Sequence, residues 1–299
     1  MTDELRLESR PALTDPVLVA AFRGWNDGGQ GASLAGGFLA KGWGAERFGD
    51  IDPEGFFDFQ ATRPHVSLVE GVTRKIEWPE NSFLTAHLPG TERDVVLLLG
   101  IEPNIRWRAF TELIVGLAED LNVQLVVTLG SLLADVPHTR VPPVTGSATD
   151  PQLVEALGLS SSRYEGPTGI VGVLHDTCKR RELPSVSLWA AVPHYVSLTP
   201  NPRAAKAICD RLATLLDARL DTTELDEAIE TYTEQVSEAV SSDPDTAAYV
   251  EELEERADAA EQEHAPEEDI PSGDALAAEL TRFLRDREEN GEQPGSESA

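Results

Sequence analysis

Basic side chains are scarce in this sequence. Its 24 lysines and arginines stand against 53 aspartates and glutamates, which gives a formal net charge of −29. Nucleic acids and anionic membrane surfaces are bound by clusters of Lys and Arg, so we expect neither as a partner. The excess of acidic side chains is unevenly distributed along the sequence, because residues 221–299 carry 26 acidic and 4 basic side chains. This acidic block is either a solvated tail or a surface for a basic protein partner.

Long hydrophobic runs are absent as well. No apolar stretch approaches the roughly 20 residues of a membrane-spanning helix. Residues 1–10 lack the basic and apolar regions of a signal peptide. We therefore predict a cytoplasmic protein without membrane association. Cysteine is rare, and Cys178 and Cys209 have no metal-ligand spacing, so both are predicted to be reduced, structural thiols.

Several catalytic signatures are also missing. Gly130 and Ser131 do not stand in the G-x-S-x-G pattern of a hydrolase elbow. There is no phosphate-binding G-x-x-x-x-G-K-S/T, and after Gly29 and Gly31 the chain has Leu34 where a dinucleotide fingerprint has its third glycine. The six histidines include no H-E-x-x-H pair. We therefore expect no cofactor and no metal, and a non-enzyme rather than an enzyme.

The chain does contain an alternation of apolar strands and amphipathic helices. Central strands are predicted by four apolar runs, at 17–22, 94–99, 124–129 and 186–192. A further strand is predicted at 169–174. Helices are predicted from residue 33 onward, at 109–121, at 150–157 and after the capping residue Asn201. This order predicts an α/β fold with a largely parallel central sheet flanked by helices.

Three parts of the chain depart from this alternation. Residues 51–88 combine aromatic and β-branched residues with prolines and glycines, which predicts an antiparallel insertion or edge on the α/β domain of residues 1–220. Residues 221–262 show helical spacing with one break and predict a C-terminal helical hairpin, whose apolar faces need a partner. Residues 263–299 are predicted to be an acidic linker, a short terminal helix and a disordered tail.

Polar side chains stand where the predicted parallel strands end. The carboxyl ends of parallel strands meet at one edge of a sheet, and ligands commonly bind there. We therefore predict a candidate pocket formed by ten residues: Trp25, Asn26, Asp27, Glu102, Asn104, Ser131, His138, Arg140, His194 and Tyr195. The predicted strand at 169–174 would add His175 and Asp176, but neighbours in a strand point to opposite faces and cannot simply form a catalytic dyad.

Asp27 allows two interpretations. With His138 or His194 it could form a general base and its orienting partner. It could equally cap the helix that begins nearby. The first interpretation predicts a small-molecule site, whereas the second leaves this edge of the sheet as a layer of solvated loops. No residue is assigned a catalytic role.

Four longer segments resemble a known family. GWNDGGQGAS, LLLGIEPNIRW, TLGSLLADVPHTRVPPVTG and WAAVPHYV are similar to the actinobacterial branch of the proteasome assembly chaperone family, the family named for the second eukaryotic chaperone. The segment IPSGDALAAELTRFLR at 270–285 is similar to a terminal motif of the same branch. The resemblance extends over residues 17–216, which is most of the chain.

The resemblance implies a phosphorylase-like or hydrolase-like α/β sandwich, a homo-oligomer that we expect to be a trimer, and contact with proteasome subunits. Relatives that engage the proteasome often dock through a terminal hydrophobic, tyrosine, any-residue signature, whereas this sequence ends in Glu297, Ser298 and Ala299. We therefore predict a non-enzymatic assembly factor or adaptor that uses another surface. The alternative is a protein that binds or converts a nucleoside or phosphorylated metabolite at the predicted pocket.

Overall fold

The computed structural model describes residues 4–69, 73–149 and 164–263. The strands in these residues are β1 (Leu5–Leu7), β2 (Val17–Arg23), β3 (Glu46–Ile51), β4 (His65–Val69), β5 (Thr73–Glu77), β6 (Asn81–His87), β7 (Asp94–Ile101), β8 (Leu125–Ala134), β9 (Val144–Ala148) and β10 (Ser185–Pro193). The helices are α1 (Gly31–Gly42), α2 (Trp107–Asp120), α3 (Ile170–Arg180), α4 (Pro202–Leu216), α5 (Thr223–Ser241) and α6 (Pro244–Glu263).

Eight strands form one mixed sheet in the order β1-β3-β6-β7-β2-β8-β10-β9. The four strands at its centre, β7, β2, β8 and β10, are parallel to their neighbours within this group. The pairings outside this group are antiparallel. Strands β4 and β5 form a separate two-stranded antiparallel sheet, the hairpin. The predicted α/β fold with a parallel centre and an antiparallel edge is confirmed.

Strand β2 shows why the parallel strands lie at the centre. Its side chains are apolar without interruption from Val17 to Phe22, so both faces of the strand need cover. Val17, Val19 and Ala21 belong to one hydrophobic core, which the helices α1 and α4 complete. Leu18 and Phe22 belong to a second core on the other face, completed by α2 and α3. The sheet is thus the middle of three layers.

The prediction of a strand at 169–174 is wrong, because these residues begin the helix α3. The sequence GIVGVL is short, apolar and β-branched, and periodicity alone cannot distinguish a buried strand from a buried helix over such a length. Two observations decide for the helix. Ile170, Leu174 and Cys178 are buried at a spacing of four residues, and the backbone N–H of Ile170 donates to the Glu102 carboxylate.

Other elements were not predicted. Strand β9 lies in the proline-containing segment after β8 and pairs antiparallel with the outer side of β10. Strand β1 pairs with β3, although its residues show no sustained period. The predicted helix at 150–157 and the features predicted for residues 264–299 lie outside the described residues. Cys178 and Cys209 are buried free thiols, and burial raises the pKa of each to about 12.

The C-terminal helical extension, α5 and α6, lies against the α/β part of the same chain. Helix α5 contacts both α4 and α6. Its buried residue Leu225 joins the core that α1 and α4 share, and Tyr232 and Val236 are buried on the same helix. In α6 the buried residues are Val250 and Leu253. The apolar faces predicted for these helices therefore find cover within the chain.

Candidate functional site

The carboxyl ends of β7, β2, β8 and β10 meet at one edge of the sheet, which we call the carboxyl rim. It consists of four segments in which these strands end or are followed by loops: 23–27, 102–105, 131–141 and 194–198. All ten residues of the predicted pocket lie in these segments. Their hydrogen bonds divide them among four clusters.

Asp27 and Ser131 form the first cluster, at the start of α1. Asp27 Oδ1 accepts hydrogen bonds from the backbone N–H groups of Ala32 at 2.9 Å and Ser33 at 3.2 Å. The Ser131 hydroxyl lies 3.3 Å from the same oxygen and donates to the Gly28 carbonyl oxygen at 2.8 Å. A carboxylate at the amino end of a helix satisfies free N–H groups and is favoured by the helix dipole. Asp27 Oδ2 is buried and has no hydrogen-bond partner within the described residues.

Glu102 holds the second cluster together. Its Oε2 accepts from the backbone N–H of Trp25 at 3.0 Å, and its Oε1 accepts from Asn26 Nδ2 at 3.1 Å. The same Oε1 accepts from the backbone N–H of Ile170 at 2.8 Å, which caps α3. The contact requires glycine at 169, because a Cβ there would lie 2.2 Å from Asn26 Nδ2. The carboxylate thus joins β7, the loop after β2 and the start of α3.

Asn104 belongs to a third, separate cluster near the loop that follows β3. Its Oδ1 accepts from the backbone N–H of Asp58 at 2.9 Å and from the Thr62 hydroxyl at 3.1 Å. Its own backbone N–H donates to the Phe56 carbonyl oxygen at 2.9 Å. These contacts fix the loop that leads towards the hairpin. Within the described residues they do not connect Asn104 to the rest of the predicted pocket.

The fourth cluster contains His138 and Tyr195, which are covered by α5. The Tyr195 hydroxyl accepts from the backbone N–H of His138 at 2.9 Å and lies 2.8 Å from its Nδ1. His138 Nε2 lies 2.9 Å from the Ser237 hydroxyl. Burial lowers the pKa of His138 and raises that of Tyr195 to about 12. A neutral imidazole that accepts a hydrogen bond from the Tyr195 hydroxyl at Nδ1 and donates one from Nε2 to Ser237 satisfies all three groups.

Arg140 continues this cluster along α6. Its guanidinium group binds the Asp258 carboxylate through two hydrogen bonds, of 2.7 Å and 3.0 Å, and lies 3.5 Å from Glu254. The hydrogen bond from Arg140 lowers the pKa of Asp258. Thr139, the preceding residue, donates a hydrogen bond from its hydroxyl to the Glu254 carboxylate. The polar side chains of the segment after β8 therefore bind the helical extension and are not available to a ligand.

His194 lies at the outer side of the same cluster. Its Nε2 is 3.7 Å from an Asp135 carboxylate oxygen, and its ring contacts those of Tyr195 and Tyr249. The Tyr249 hydroxyl donates to Asp135 at 3.1 Å. The contribution of α6 to this arrangement was not foreseen from the sequence. The sequence gives one indication of this contribution, the helical spacing that places Glu254 and Asp258 on one face of α6.

His175 and Asp176 do not reach the carboxyl rim. Because they lie in a helix, His175 is directed to the amino end of β10, where its Nδ1 is 2.9 Å from the Ser185 hydroxyl. Burial lowers the pKa of His175. Asp176 pairs instead with Arg180, one helical turn further on, at 3.1 Å.

These contacts do not combine the predicted pocket into one reaction site. No hydrogen bond joins Asp27 to His138 or His194 within the described residues, so the geometry of a base and its orienting partner is not present there. The same residues contain no group of three or more His, Cys, Asp or Glu side chains that could hold a metal ion. The polar side chains of the carboxyl rim chiefly bind one another and the backbone.

The sequence interpretation missed the apolar surface of this edge. In the residues that the structure describes, twelve large apolar side chains are exposed. Six belong to the carboxyl rim: Trp25, Ile105, Leu132, Leu133, Val141 and Leu198. Five belong to the hairpin and the residue that follows it: Val66, Leu68, Val69, Ile76 and Trp78. Tyr164, the twelfth, precedes α3. We call these side chains together the rim surface.

The fold and this edge define an α/β protein with a mixed sheet between two helical layers and an apolar rim surface. Residues 21–240 match the model of the PAC2 family. A PAC2 family protein from Streptomyces avermitilis is 46% identical, with a TM-score of 0.74 over 79% of this chain and 100% of its own. A proteasome-assembly chaperone homologue from Mycobacterium tuberculosis is 44% identical, with a TM-score of 0.72 over 78% of this chain and 99% of its own.

The chain belongs to the PAC2 family. The resemblance to the actinobacterial branch of the proteasome assembly chaperone family is thereby confirmed. An archaeal proteasome activator from Pyrococcus furiosus shares the fold at 19% identity, with a TM-score of 0.66 over 79% of this chain and 97% of its own. A comparison with curated protein sequences gives no match. Among the described helices, none is long and apolar enough to span a membrane.

Proposed function

We propose that this protein is an assembly factor or adaptor for the proteasome that works by protein–protein contact and without catalysis. The proposal follows the family and its proteasome-assembly chaperone homologue. Its partners are proteasome subunits. The proposed protein is a trimer of identical subunits. Its proposed location is the cytoplasm.

The rim surface is the proposed contact site for proteasome subunits because of the distribution of exposed apolar side chains. Eleven of the twelve exposed large apolar side chains in the described part of the chain lie in two regions, the carboxyl rim and the hairpin with the residue that follows it. Single exposed apolar residues are ordinary in soluble proteins, whereas a contiguous set marks an interaction site. The hairpin adjoins the carboxyl rim, because Arg23 of the rim and Lys75 and Ile76 of the hairpin line one cleft.

The polar side chains of the carboxyl rim support the same proposal. Glu102 has three hydrogen-bond donors, and Arg140 has a bidentate carboxylate partner. Freeing Glu102 for a substrate would sacrifice hydrogen bonds to a charged group, which are worth about 1.5–3 kcal/mol each. The small-molecule alternative has no comparable observation in its favour.

Copurification tests the proposal. The tagged chain is coexpressed with the α and β subunits of a 20S proteasome from a related species, and bound subunits are identified by mass spectrometry. We expect retention by the wild-type chain and loss of retention by Leu133→Glu, since a buried, unpaired carboxylate is costly at an apolar contact. Ala12→Glu adds the same charge at an exposed position before β2, at the opposite edge of the sheet, and serves as the matched control. Absence of every proteasome subunit from the wild-type sample would contradict the proposal.

A further inference from the structure

A cleft of about 680 Å³ lies between the hairpin and the ends of β2 and β7. Five basic side chains line it: Arg6, Arg23, Arg63, His65 and Lys75. We call it the basic cleft. Its charge contrasts with the net charge of −29 of the whole chain and with the acidic helical extension.

The carboxylates in the basic cleft neutralise it only in part. Glu77 lies 3.5 Å from Lys75, and Glu80 lies 3.0 Å from Arg47. Both are exposed ion pairs, which typically contribute at most about 1 kcal/mol because water and salt screen them. An incoming carboxylate can therefore compete for Lys75 at little cost.

Arg23 and Arg63 have no ionic partner among the residues that the structure describes. Neither side chain makes a hydrogen bond or ion pair within the described residues, whereas Arg6 is held by Asp50 at 2.5 Å and by Asp52 at 3.3 Å. Two guanidinium groups that line the basic cleft thus have no carboxylate partner in the described part of the chain. Arginine binds carboxylates through two parallel hydrogen bonds, so this pair is suited to acidic side chains.

One wall of the basic cleft is apolar. Ile76 is 58% exposed and Trp78 is 49% exposed, and both line the cleft. The Trp78 ring is supported by an edge contact with Phe59, at 4.8 Å between ring centroids. An aromatic or aliphatic side chain that packs on this wall would remove apolar surface from water.

From these observations we infer that the basic cleft binds a peptide segment of the partner protein in which carboxylates flank an apolar or aromatic side chain. The carboxylates bind Arg23, Arg63 and Lys75, and the apolar side chain packs on Trp78. This inference rests on the proposed function, because it names the chemistry of the partner at the hairpin side of the rim surface.

The exposed face of the hairpin favours a peptide over a small anion. Val66 pairs across the hairpin with Ile76, and Leu68 pairs with Arg74, so these four side chains share one face. Val66 and Leu68 are more than 60% exposed. An isolated two-stranded sheet is marginally stable in water, and a peptide that extends from the basic cleft over this face would cover it.

Fluorescence anisotropy tests the inference with the full chain. The probe is a short fluorescein-labelled peptide in which glutamates flank a leucine–phenylalanine pair. We expect binding that weakens as salt is raised, and a loss of about tenfold or more in the double variant Arg63→Glu, Lys75→Glu, because each change places like charges together. The double variant Arg10→Glu, Lys179→Glu is the matched control, since it reverses the same two kinds of charge at exposed positions that line neither the basic cleft nor the hairpin. It should change the affinity less than about threefold, as screening weakens the effect of a distant exposed charge.

Two further measurements separate the alternatives. Trp78→Phe should abolish the peptide-induced change in tryptophan emission and leave the fold intact by circular dichroism. Equal weakening by the control Arg10→Glu, Lys179→Glu, equal binding of a peptide with glutamates alone, or complete displacement by inorganic tripolyphosphate would overturn the inference in favour of general anion binding. Copurification with proteasome subunits that survives the double variant would overturn the inference and leave the proposed function standing. Loss of copurification in Leu133→Glu alone would support the proposed function independently of the peptide.

Discussion

Glu102 makes clear, at the scale of single residues, what the carboxylates of the carboxyl rim do. Its two oxygens receive donors from residues 77, 76 and 68 positions away in the chain. A charged group with three donors is strongly committed to its structural role. Asp27 Oδ1 is committed in the same way to the start of α1. Both residues were recognised from the sequence as polar groups at strand ends, but their partners depend on contacts that no local pattern contains.

The burial of His138 leads to a prediction of how the free energy of unfolding depends on pH. A histidine with a lower pKa in the folded state binds its proton more readily in the unfolded chain, whose histidine pKa is about 6.5. The stability that neutral His138 contributes is therefore present above that value and is lost as the pH falls below it. Burial is the main cause, with Arg203 acting in the same direction and Glu254 opposing it.

The measurement is urea unfolding at about pH 7.5 and about pH 5.5, where a difference in bound protons becomes a difference in stability. We expect the free energy of unfolding to fall on acidification in the wild-type chain and to fall less in His138→Gln. The remaining decrease has a contribution from His175, whose pKa is also lowered by burial. His65→Gln, at an exposed hairpin position, should retain the wild-type decrease. An unchanged decrease in His138→Gln would contradict this account of the buried imidazole.

At the scale of elements, α3 shows where sequence patterns reach their limit. Its first turn is apolar and β-branched, which favours a strand locally, yet it is capped from another part of the chain by Glu102. The buried positions of α3 repeat with helical spacing only when Thr177 and Cys178 are included. A window that stops at residue 174 misses this period. Strands β2, β7, β8 and β10 were predictable because their burial on both faces leaves a mainly apolar signal, which the buried pair Thr128 and Ser187 interrupts in β8 and β10.

Gly169 provides the prediction for this element. Gly169→Ala should lower the free energy of unfolding by about 1–3 kcal/mol, because the added Cβ would meet Asn26 Nδ2 at 2.2 Å and Glu102 Oε1 at 2.6 Å. Gly116→Ala in α2 is the matched control. A Cβ there meets nothing within 4 Å, and alanine is the better helix former by up to about 1 kcal/mol. Urea unfolding of the two variants should give shifts of opposite sign, and equal shifts would contradict the described packing at the start of α3.

At the scale of the whole molecule, one edge of the sheet combines two properties. Most of its polar side chains bind one another or the backbone, with Arg23 and Asp27 Oδ2 as exceptions, and it carries exposed apolar side chains. The α/β fold, the helical extension and the family were predictable from composition, periodicity and motif resemblance. The separation of the pocket residues into four clusters was not predictable, because it depends on how the helical extension lies against the segment after β8. Nor was the rim surface predictable, since a pattern of apolar residues does not tell which of them remain uncovered.

The central claim is that proteasome subunits bind at the rim surface. Site-specific photo-crosslinking tests it most directly, with a photoreactive phenylalanine analogue placed at Leu133 in the carboxyl rim or at Ala12 at the opposite edge. After reconstitution with 20S α and β subunits, we expect crosslinked proteasome peptides from position 133 and none from position 12. Equal crosslinking from both positions, or crosslinks from position 12 alone, would contradict the claim.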